Sequence, residues 1–503
     1  MTDPAGHILI RGGRLLDASS HEAKPTDILI EGNTILELGP PGLAAPEGAR
    51  VIDAADRMLI PGLVNAHTHG HGSLAKGTND RWSLELLLNS APWTSGHRTL
   101  EDKRVAAMLN AADLVRKGCT ACYDLYFEFP VPTVEGLEAV AQGYGEVGVR
   151  ALVAPMMADR LFYEAIPGLM EAIPDALRGR VETVRAAPFA ESLAALRKVL
   201  PEGRGDRAMF DLGLAPTIPL HCSDDFMTAC RDLAEEYDTR VHMHLAESKV
   251  QAVVAPRAYD GKTLTAHLDA LGLLGPRFTG AHCIWLDADD IGRMADNGIC
   301  VAHNPGSNLR LGSGVAPARA LLDAGVNLGV GTDGSQCSDN QNLFEAMRLA
   351  AFVSRIGNPD VETWIGAEDA FRMATEGGAR LLGQEGVLGR VAPGYRADIV
   401  FLDLTHVNYI PLNDPLYHVV FCEDGSAVDS VMVDGRMVLE HGRFTTFDEA
   451  ALRRDAQAAV ERLREANAES RIFPQALEAH VAMYCVGLAN QAYPVDRKLA
   501  EQV

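Results

Sequence analysis

Hydrophobic and polar positions change rhythm twice along this chain. Between residues 8 and 60 they alternate in short runs, ILIRGGRLLD, DILIEGNTILELGP and ARVIDAADRMLIPG, punctuated by Gly-Gly, Gly-Asn and Pro-Pro. A period of two marks a strand with one buried face, and glycine and proline supply the turns between strands. These runs predict a small antiparallel sheet. The same rhythm returns in ADIVFLDL (397–404) and AVDSVMVDGRMVLEHGRF (427–444), with a turn at Gly435. Matching β segments at opposite ends predict one β-sandwich closed by both termini, with a larger domain inserted between them.

In the middle, apolar runs of strand length alternate with helical patterns. Eight runs read as strands: the one entering His67, then 119–127, 149–157, 210–216, 240–247, 278–283, 299–305 and 326–333. Between them lie LEDKRVAAMLNAADLVRKG, SDDFMTACRDLAEEYD, ADDIGRMADNG and APARALLDAG, the last three stopping near Gly or Asp as helices do. Strands alternating with helices are the signature of βα units, and eight units predict an α/β protein built on a (β/α)8 TIM-like barrel. The expected domains are the two halves of the sandwich (1–60 and 390–446), the barrel (61–389) and a helical extension (447–503). That extension opens with DEAALRRDAQAAVERLREANAES and then turns irregular. Residues 158–209 exceed what one βα loop needs and predict two helices over the barrel mouth.

A barrel of this kind carries its active site where the strands end. The first strand runs out in LIPGLVNAHTHGHGSLAKG, so His67 and His69, two residues apart, share one strand face. The fifth ends in HMHLAE with His242, His244 and Glu247, the sixth in His282, the seventh in His303 and the eighth in Asp333. One such histidine is ordinarily structural; five strands all ending in His, Glu or Asp point to one shared site. Three protein ligands with an exchangeable water are the minimum for catalytic zinc. His67, His69 and His244 are the candidate imidazole ligands, and Asp333 a weaker ligand that also takes a proton. Glu247, just past its strand, is placed to work as acid and base. His282 is placed to stabilise developing negative charge. His242, on the same face as His244 but deeper, reads as a packed, hydrogen-bonded histidine.

Composition narrows the partners. The chain has 503 residues, 47% hydrophobic and 22% charged, the makeup of a globular protein of two or three structural units. A formal net charge of -23 argues against nucleic acid and anionic membrane as partners. No apolar run is long enough to span a bilayer, and MTDPAGHILIRGG lacks the basic start and apolar core of a signal peptide. Nine cysteines, an odd number, read as reduced thiols in a cytoplasmic protein. Cys119-Thr120-Ala121-Cys122 has redox spacing but opens a barrel strand with no second such pair, and is read as structural. Gly312-Ser313-Gly314 is read as shaping the mouth, and Gly331 and Gly334 as letting backbone pass close to the metal.

PGLVNAHTH, HMHLAE, GAHC, VAHNPGSNLRLGSG and VGTDGSQCSDNQNLFEAMRLA resemble the amidohydrolase superfamily, in the branch that holds S-adenosylhomocysteine, guanine and cytosine deaminases and the triazine hydrolases. The resemblance covers residues 8–444 in the expected order. It implies one divalent metal per chain, Zn²⁺ or Fe²⁺, held by His67, His69, His244 and Asp333, with Glu247, His282 and Asp333 catalytic. Binuclear relatives carry a carboxylated lysine on the fourth strand, and FDLGLAPTIP has none. The implied reaction is hydrolytic deamination of an amino-substituted nitrogen heterocycle (purine, pyrimidine, triazine or similar). The same site also suits a cyclic amide, an alkylamine or a halide leaving group. A non-catalytic scaffold of this superfamily is the reading from another class, and it should have lost ligands that this chain retains. The branch implies a small-molecule substrate and a homo-oligomer. Two positions depart from it: Thr217 stands where many of its deaminases place histidine after the fourth-strand proline, and Lys76 where an arginine often stands. Candidate substrate contacts are His71, Lys76, Trp93, Thr217 and His303.

Overall fold

A computed structural model describes residues 6–181, 184–185, 187–203 and 206–498. The first five strands are β1 (His7–Asp17), β2 (Glu22–Glu31), β3 (Thr34–Gly39), β4 (Arg50–Asp53) and β5 (Arg57–Pro61). The parallel core follows as β6 (Leu63–Thr68), β7 (Cys119–Phe127), β8 (Arg150–Met157), β9 (Phe210–Leu212), β10 (Ala215–Pro216), β11 (Val241–Leu245), β12 (Phe278–His282), β13 (Cys300–His303) and β14 (Asn327–Val330). The last four are β15 (Ile399–Asp403), β16 (Val428–Val433), β17 (Arg436–Glu440) and β18 (Arg443–Phe444). This is a mixed α/β fold with parallel sheets.

The two ends of the chain share one nine-stranded sheet, ordered β18-β17-β16-β15-β5-β1-β2-β3, with β4 beside β1. They join where β5 and β15 run antiparallel, with Leu59 opposite Phe401. Alternate residues of these strands (Ile10, Ile28, Ile30, Leu59, Ile399 and Phe401) fill one apolar cluster, as a period of two requires. The sheet departs from the expected antiparallel pattern, because β1 pairs parallel with both β4 and β5.

The apolar run entering His67 is two strands. It divides at Gly62, which passes so close to Thr120 that a side chain there would overlap the threonine. β5 then belongs to the nine-stranded sheet and β6 to the parallel core. There β6, β7, β8 and β9/β10 form one parallel sheet and β11 to β14 another. Main-chain bonds link them at both seams. His242 N–H donates to the Leu214 carbonyl at 2.8 Å, and Asp333 N–H to the His67 carbonyl at 2.9 Å. The expected fourth strand is broken at Gly213-Leu214, leaving two short pieces. Both faces of these strands are buried. Val64, Ala66, Ala121, Ala154, Ala281 and Ala302 make a cluster of mostly small side chains, whereas Leu63, Cys122, Val153, Met243 and Val301 face the larger core under the helices. Burial on both sides explains why the strands read as continuous apolar runs.

Among the described residues, 158–209 hold four α-helical pieces, Phe162–Ala165, Leu169–Ala172, Asp175–Val181 and Phe189–Glu202, where two were expected. The tail also differs from expectation. After helix Glu449–Ala466 comes a second helix, Ala468–Ala489, where the pattern read as irregular. Phe473, Leu477, Val481, Cys485 and Leu488 form its buried stripe, and this apolar face holds the helix together despite Pro474. It lies against helix Leu84–Thr94: Asn89 donates to the Pro474 carbonyl at 2.9 Å, and the Arg471 guanidinium lies 4.7 Å from the Trp93 ring centroid. Among the described residues no helix is long and apolar enough to cross a membrane.

Candidate metal and catalytic site

The C-terminal ends of the parallel strands converge on one buried cluster. His67 is on β6 with His69 just beyond it, His242 and His244 alternate on β11, His282 and His303 end β12 and β13, and Asp333 follows β14. His69 Nε2 lies 3.2 Å and His67 Nε2 3.5 Å from Asp333 Oδ1, and His244 Nε2 lies 3.3 Å from His69 Nε2. Ligand atoms of His67, His69 and His244 are all within 4.8 Å of one another, as are those of His67, His282 and Asp333.

Hydrogen bonds from the far side of each ring set which nitrogen faces inward. His69 Nδ1–H donates to the Leu125 carbonyl and His244 Nδ1–H to the Thr217 carbonyl, each at 2.8 Å. A carbonyl only accepts, so in the neutral rings both Nε2 atoms carry lone pairs. Those lone pairs confront each other at 3.3 Å in a buried site, and buried His67 Nε2 has no hydrogen-bond partner. A divalent cation among these nitrogens and the Asp333 carboxylate removes that conflict, and three imidazoles with one carboxylate are a donor set suited to zinc. The residues present fit one such ion. His67 Nδ1 meets His242 Nε2 at 3.2 Å. His242 is therefore packed and hydrogen-bonded as expected, with its ring edge-on to Tyr123 at 4.4 Å; its partner is the candidate ligand itself, the kind of contact that fixes a ligand's tautomer.

Backbone strain gathers at the same strand ends. Ala246 (φ 49°), His282 (φ 68°) and Asp333 (φ 65°) are non-glycine residues in the left-handed region, a conformation that costs about 1–3 kcal/mol and persists only where the surroundings impose it. At Asp333 the surroundings include Gln341. This fully buried residue donates to the Asp333 carbonyl at 2.9 Å and accepts from Thr68 at 2.8 Å and Thr332 at 2.5 Å. It ties the end of β6 to the loop after β14.

Burial pushes His67 down to about 4. It would also raise Asp333, but the His67 and His69 rings, 3.5 and 3.2 Å from its Oδ1, hold that carboxyl well below the usual range. Glu247 behaves oppositely. It is 2% exposed, and burial, aided by Asp333 and Glu85, pushes it well above the usual carboxylate range. Its Oε2 lies 3.6 Å from His282 Nε2, which is 3.8 Å from Asp333 Oδ2. His282 Nδ1 is held by Asn308 Oδ1 at 2.8 Å. The Glu247 carboxyl, the His282 imidazole and the Asp333 carboxylate thus stand in series, with Glu247 pushed toward its protonated form and Asp333 toward its ionised form.

The remaining predicted residues divide. His71 is buried with its ring 5.4 Å from that of His69. Thr217 holds His244 through its carbonyl. His303 is buried beside the site with neither ring nitrogen partnered, and burial lowers it to about 4. Lys76, by contrast, is engaged by Asp113 at 2.6 Å, and Trp93 packs against Arg471 and Trp82. Cys119 and Cys122 are buried free thiols in β7. Gly312-Ser313-Gly314 packs through the Ser313 carbonyl on Trp285 Nε1 at 2.9 Å. Three residues escaped the sequence reading. Asn308 stands inside a quoted motif but gave no sign of holding His282. Gln341 had no periodic signal at all. Glu85, at the start of helix Leu84–Thr94, is a buried carboxylate whose Oε1 has no partner.

Residues 58–438 match the amidohydrolase family. The chain is 33% identical over 460 residues to 5′-deoxyadenosine deaminase of Methanothermobacter thermautotrophicus, covering 91% of this chain and 98% of that protein. It is 33% identical over 433 residues to 5-methylthioadenosine/S-adenosylhomocysteine deaminase of Thermococcus onnurineus, covering 86% of this chain and 94% of the relative. Among solved structures, an adenosine deaminase from Xanthomonas campestris with bound zinc superposes with a TM-score of 0.80 at 29% identity, over 92% of this chain and 100% of that one. A zinc complex of atrazine chlorohydrolase from Arthrobacter aurescens gives 0.81 at 26% identity, over 90% of this chain and 100% of that one.

Proposed function

The chain belongs to the amidohydrolase family, and from that premise we propose that it is a metal-dependent hydrolase of C–N bonds that deaminates an amino-substituted nitrogen heterocycle. A 6-aminopurine nucleoside is the first candidate substrate, because relatives at 33% identity are named as deaminases of that class. One observation carries the reading: three imidazole nitrogens converge with the Asp333 carboxylate beside the buried carboxyl of Glu247, 3.6 Å from His282.

His67, His69, His244 and Asp333 would hold one Zn²⁺ or Fe²⁺. When bound, the metal supplies the Lewis acidity that makes water nucleophilic at neutral pH. Asp333 turns Oδ1 to the histidines and leaves Oδ2 free to accept a proton from the attacking water. Glu247 keeps its proton through burial and presents it to a ring nitrogen of the substrate, so that the attacked carbon becomes electrophilic. His282, fixed by Asn308, accepts a hydrogen bond at Nε2 from the hydroxyl formed by the attack and so steadies the charge that develops on the new oxygen. Asp333 then gives the water's proton to the amine, which leaves as ammonia, and the hydroxyl's proton returns to Glu247 as the carbonyl forms. His71, Thr217 and His303 are proposed substrate contacts, joined by Glu85, whose unpaired oxygen suits hydroxyl donors. Lys76 and Trp93 are left out, since Asp113 and Arg471 engage them.

The proposal includes a closed (β/α)8 barrel over 61–389, a β-sandwich from 1–60 and 390–446, a helical extension over 447–503, a cytoplasmic location and a homo-oligomer that binds neither nucleic acid nor membrane. Likeness to atrazine chlorohydrolase over 90% of the chain favours a second reading in which the leaving group is a halide or alkylamine. Ammonia release from a panel of purines, pyrimidines, pterins and triazines separates the two. Glu247→Gln should lower turnover at least ~10²-fold, the scale of a positioned acid–base, with zinc content unchanged. Near-normal turnover in that variant would remove Glu247 from the mechanism.

A further inference from the structure

Arg355, just past helix Leu343–Ser354, lies among three aromatic rings, with its guanidinium carbon 5.2 Å from the centroid of Phe421, 5.3 Å from Trp364 and 5.4 Å from Phe352. Phe352 and Phe421 stack at 6.0 Å, and Tyr417 adds a fourth ring 6.1 Å from Phe421. Guanidinium over aromatic faces is favourable, the more so once water is excluded. Yet among the described residues Arg355 has no carboxylate within ion-pair distance, and its buried Nε has no hydrogen-bond partner. The rings are the centre of a larger surface. Of the fifteen large apolar side chains left exposed among the described residues, seven fall in the two segments 352–361 and 407–417. A concentration of that kind marks an interaction surface, and aromatic residues with arginine are the composition of an interface's energetic centre.

The charges on the surface say what covers it. Glu362 lies in the same loop as Arg355, is exposed, and has no ion pair among the described residues. Its neighbour Asp360 already caps the turn by accepting from Glu362 N–H at 3.1 Å. A two-fold interface sets the same patch against itself, so one unpaired cation and one unpaired anion on it satisfy each other twice. We propose that this surface is an isologous interface with a second copy of the chain, in which Arg355 of each protomer pairs with Glu362 of the other while the rings exclude water. The inference rests on the homo-oligomer reading above and is independent of the reaction, because none of these residues belongs to the histidine cluster.

Sedimentation equilibrium of the full chain over a range of concentrations tests it. The natural chain should dimerise. Arg355→Glu alone and Glu362→Arg alone should each weaken the dimer by about 30-fold or more, the scale of a central interface contact. The double variant, with the charges exchanged, should recover most of that affinity, which a misfolded chain would not do. A natural chain that stays monomeric throughout overturns both the homo-oligomer reading and this surface. A dimer indifferent to both single substitutions overturns this surface and leaves the homo-oligomer reading standing. A double variant that remains dissociated overturns the Arg355–Glu362 pairing.

Discussion

Replacing Gln341 by leucine tests whether the loop bearing Asp333 is held by that one buried amide. Gln341 makes four hydrogen bonds: its Nε2 donates to the Asp333 carbonyl at 2.9 Å and to Ser335 Oγ at 3.2 Å, and its Oε1 accepts from Thr68 and Thr332. At about 0.5–1.5 kcal/mol net per bond, simple addition gives about 2–6 kcal/mol. The surroundings cut that figure, because both threonine hydroxyls have a second acceptor in the Asp333 carbonyl, 3.3 Å from Thr68 and 3.2 Å from Thr332. Turning to it, they keep a longer bond and also replace the donor that the carbonyl loses. Leucine is close to glutamine in size, so no large cavity opens. The expected loss is therefore about 2–3 kcal/mol, from weakened rather than orphaned groups. The same slackening frees Asp333, and zinc affinity should fall about 10–100-fold, as when a ligand loses its supporting contact. Urea unfolding of the metal-free proteins gives the first quantity from the midpoint at unchanged slope. Competition with a zinc chelator gives the second. A leucine variant within about 0.5 kcal/mol of the natural protein, the ordinary range of a neutral substitution, with unaltered zinc affinity would show that Gln341 does not hold the loop.

Two further outcomes follow from close contacts and burial. A Cβ on Gly331 would lie 2.9 Å from the His67 nitrogen and overlap the Asn304 amide, whereas one on Gly334 meets only the flexible tip of Gln336 at 2.5 Å. Gly331→Ala should cost about 1–3 kcal/mol in urea unfolding and Gly334→Ala clearly less; equal costs would contradict the crowding at His67. Burial pushes Asp290, in the first turn of helix Ala288–Asp296, up to about 6. A raised folded value means that folding favours the protonated form, so this contribution is whole below pH ~4 and lost as pH rises through about 6. Between pH 4 and 7, the stability of Asp290→Asn relative to the natural protein should rise by about 1–3 kcal/mol. A flat difference across that window would reject the burial argument.

The residues that converge in the site were legible because each stands at the end of an apolar run, and because chemistry restricts those positions to His, Glu and Asp. Their supports were not. Thr68 and Gln341 are 273 residues apart in sequence, and no local pattern announces a partner at such a distance. Asn308 looks like any asparagine in a turn until His282 is beside it. Fold boundaries failed where tertiary contact overrules local rhythm. The division at Gly62 depends on Thr120, from another strand, and the second tail helix forms despite Pro474 because its apolar stripe has helix Leu84–Thr94 to lie on. The partners of Lys76 and Trp93, Asp113 and Arg471, lie on other elements, and no local pattern announces them.

The seating of helix Leu84–Thr94 on residues 468–489 has a consequence in time. On the ribosome the helix bearing Glu85 emerges early, and the cluster from His67 to Asp333 can assemble before its tail partner exists. The nascent chain thus has a stage in which every residue from His67 to Asp333 has been made and helix Leu84–Thr94 still lacks the surface it packs on. Only when Pro474 and Arg471 reach Asn89 and Trp93 is that helix fixed. The bonds of Asn89 and Trp93 to the tail are thus among the last tertiary contacts that the order of synthesis allows.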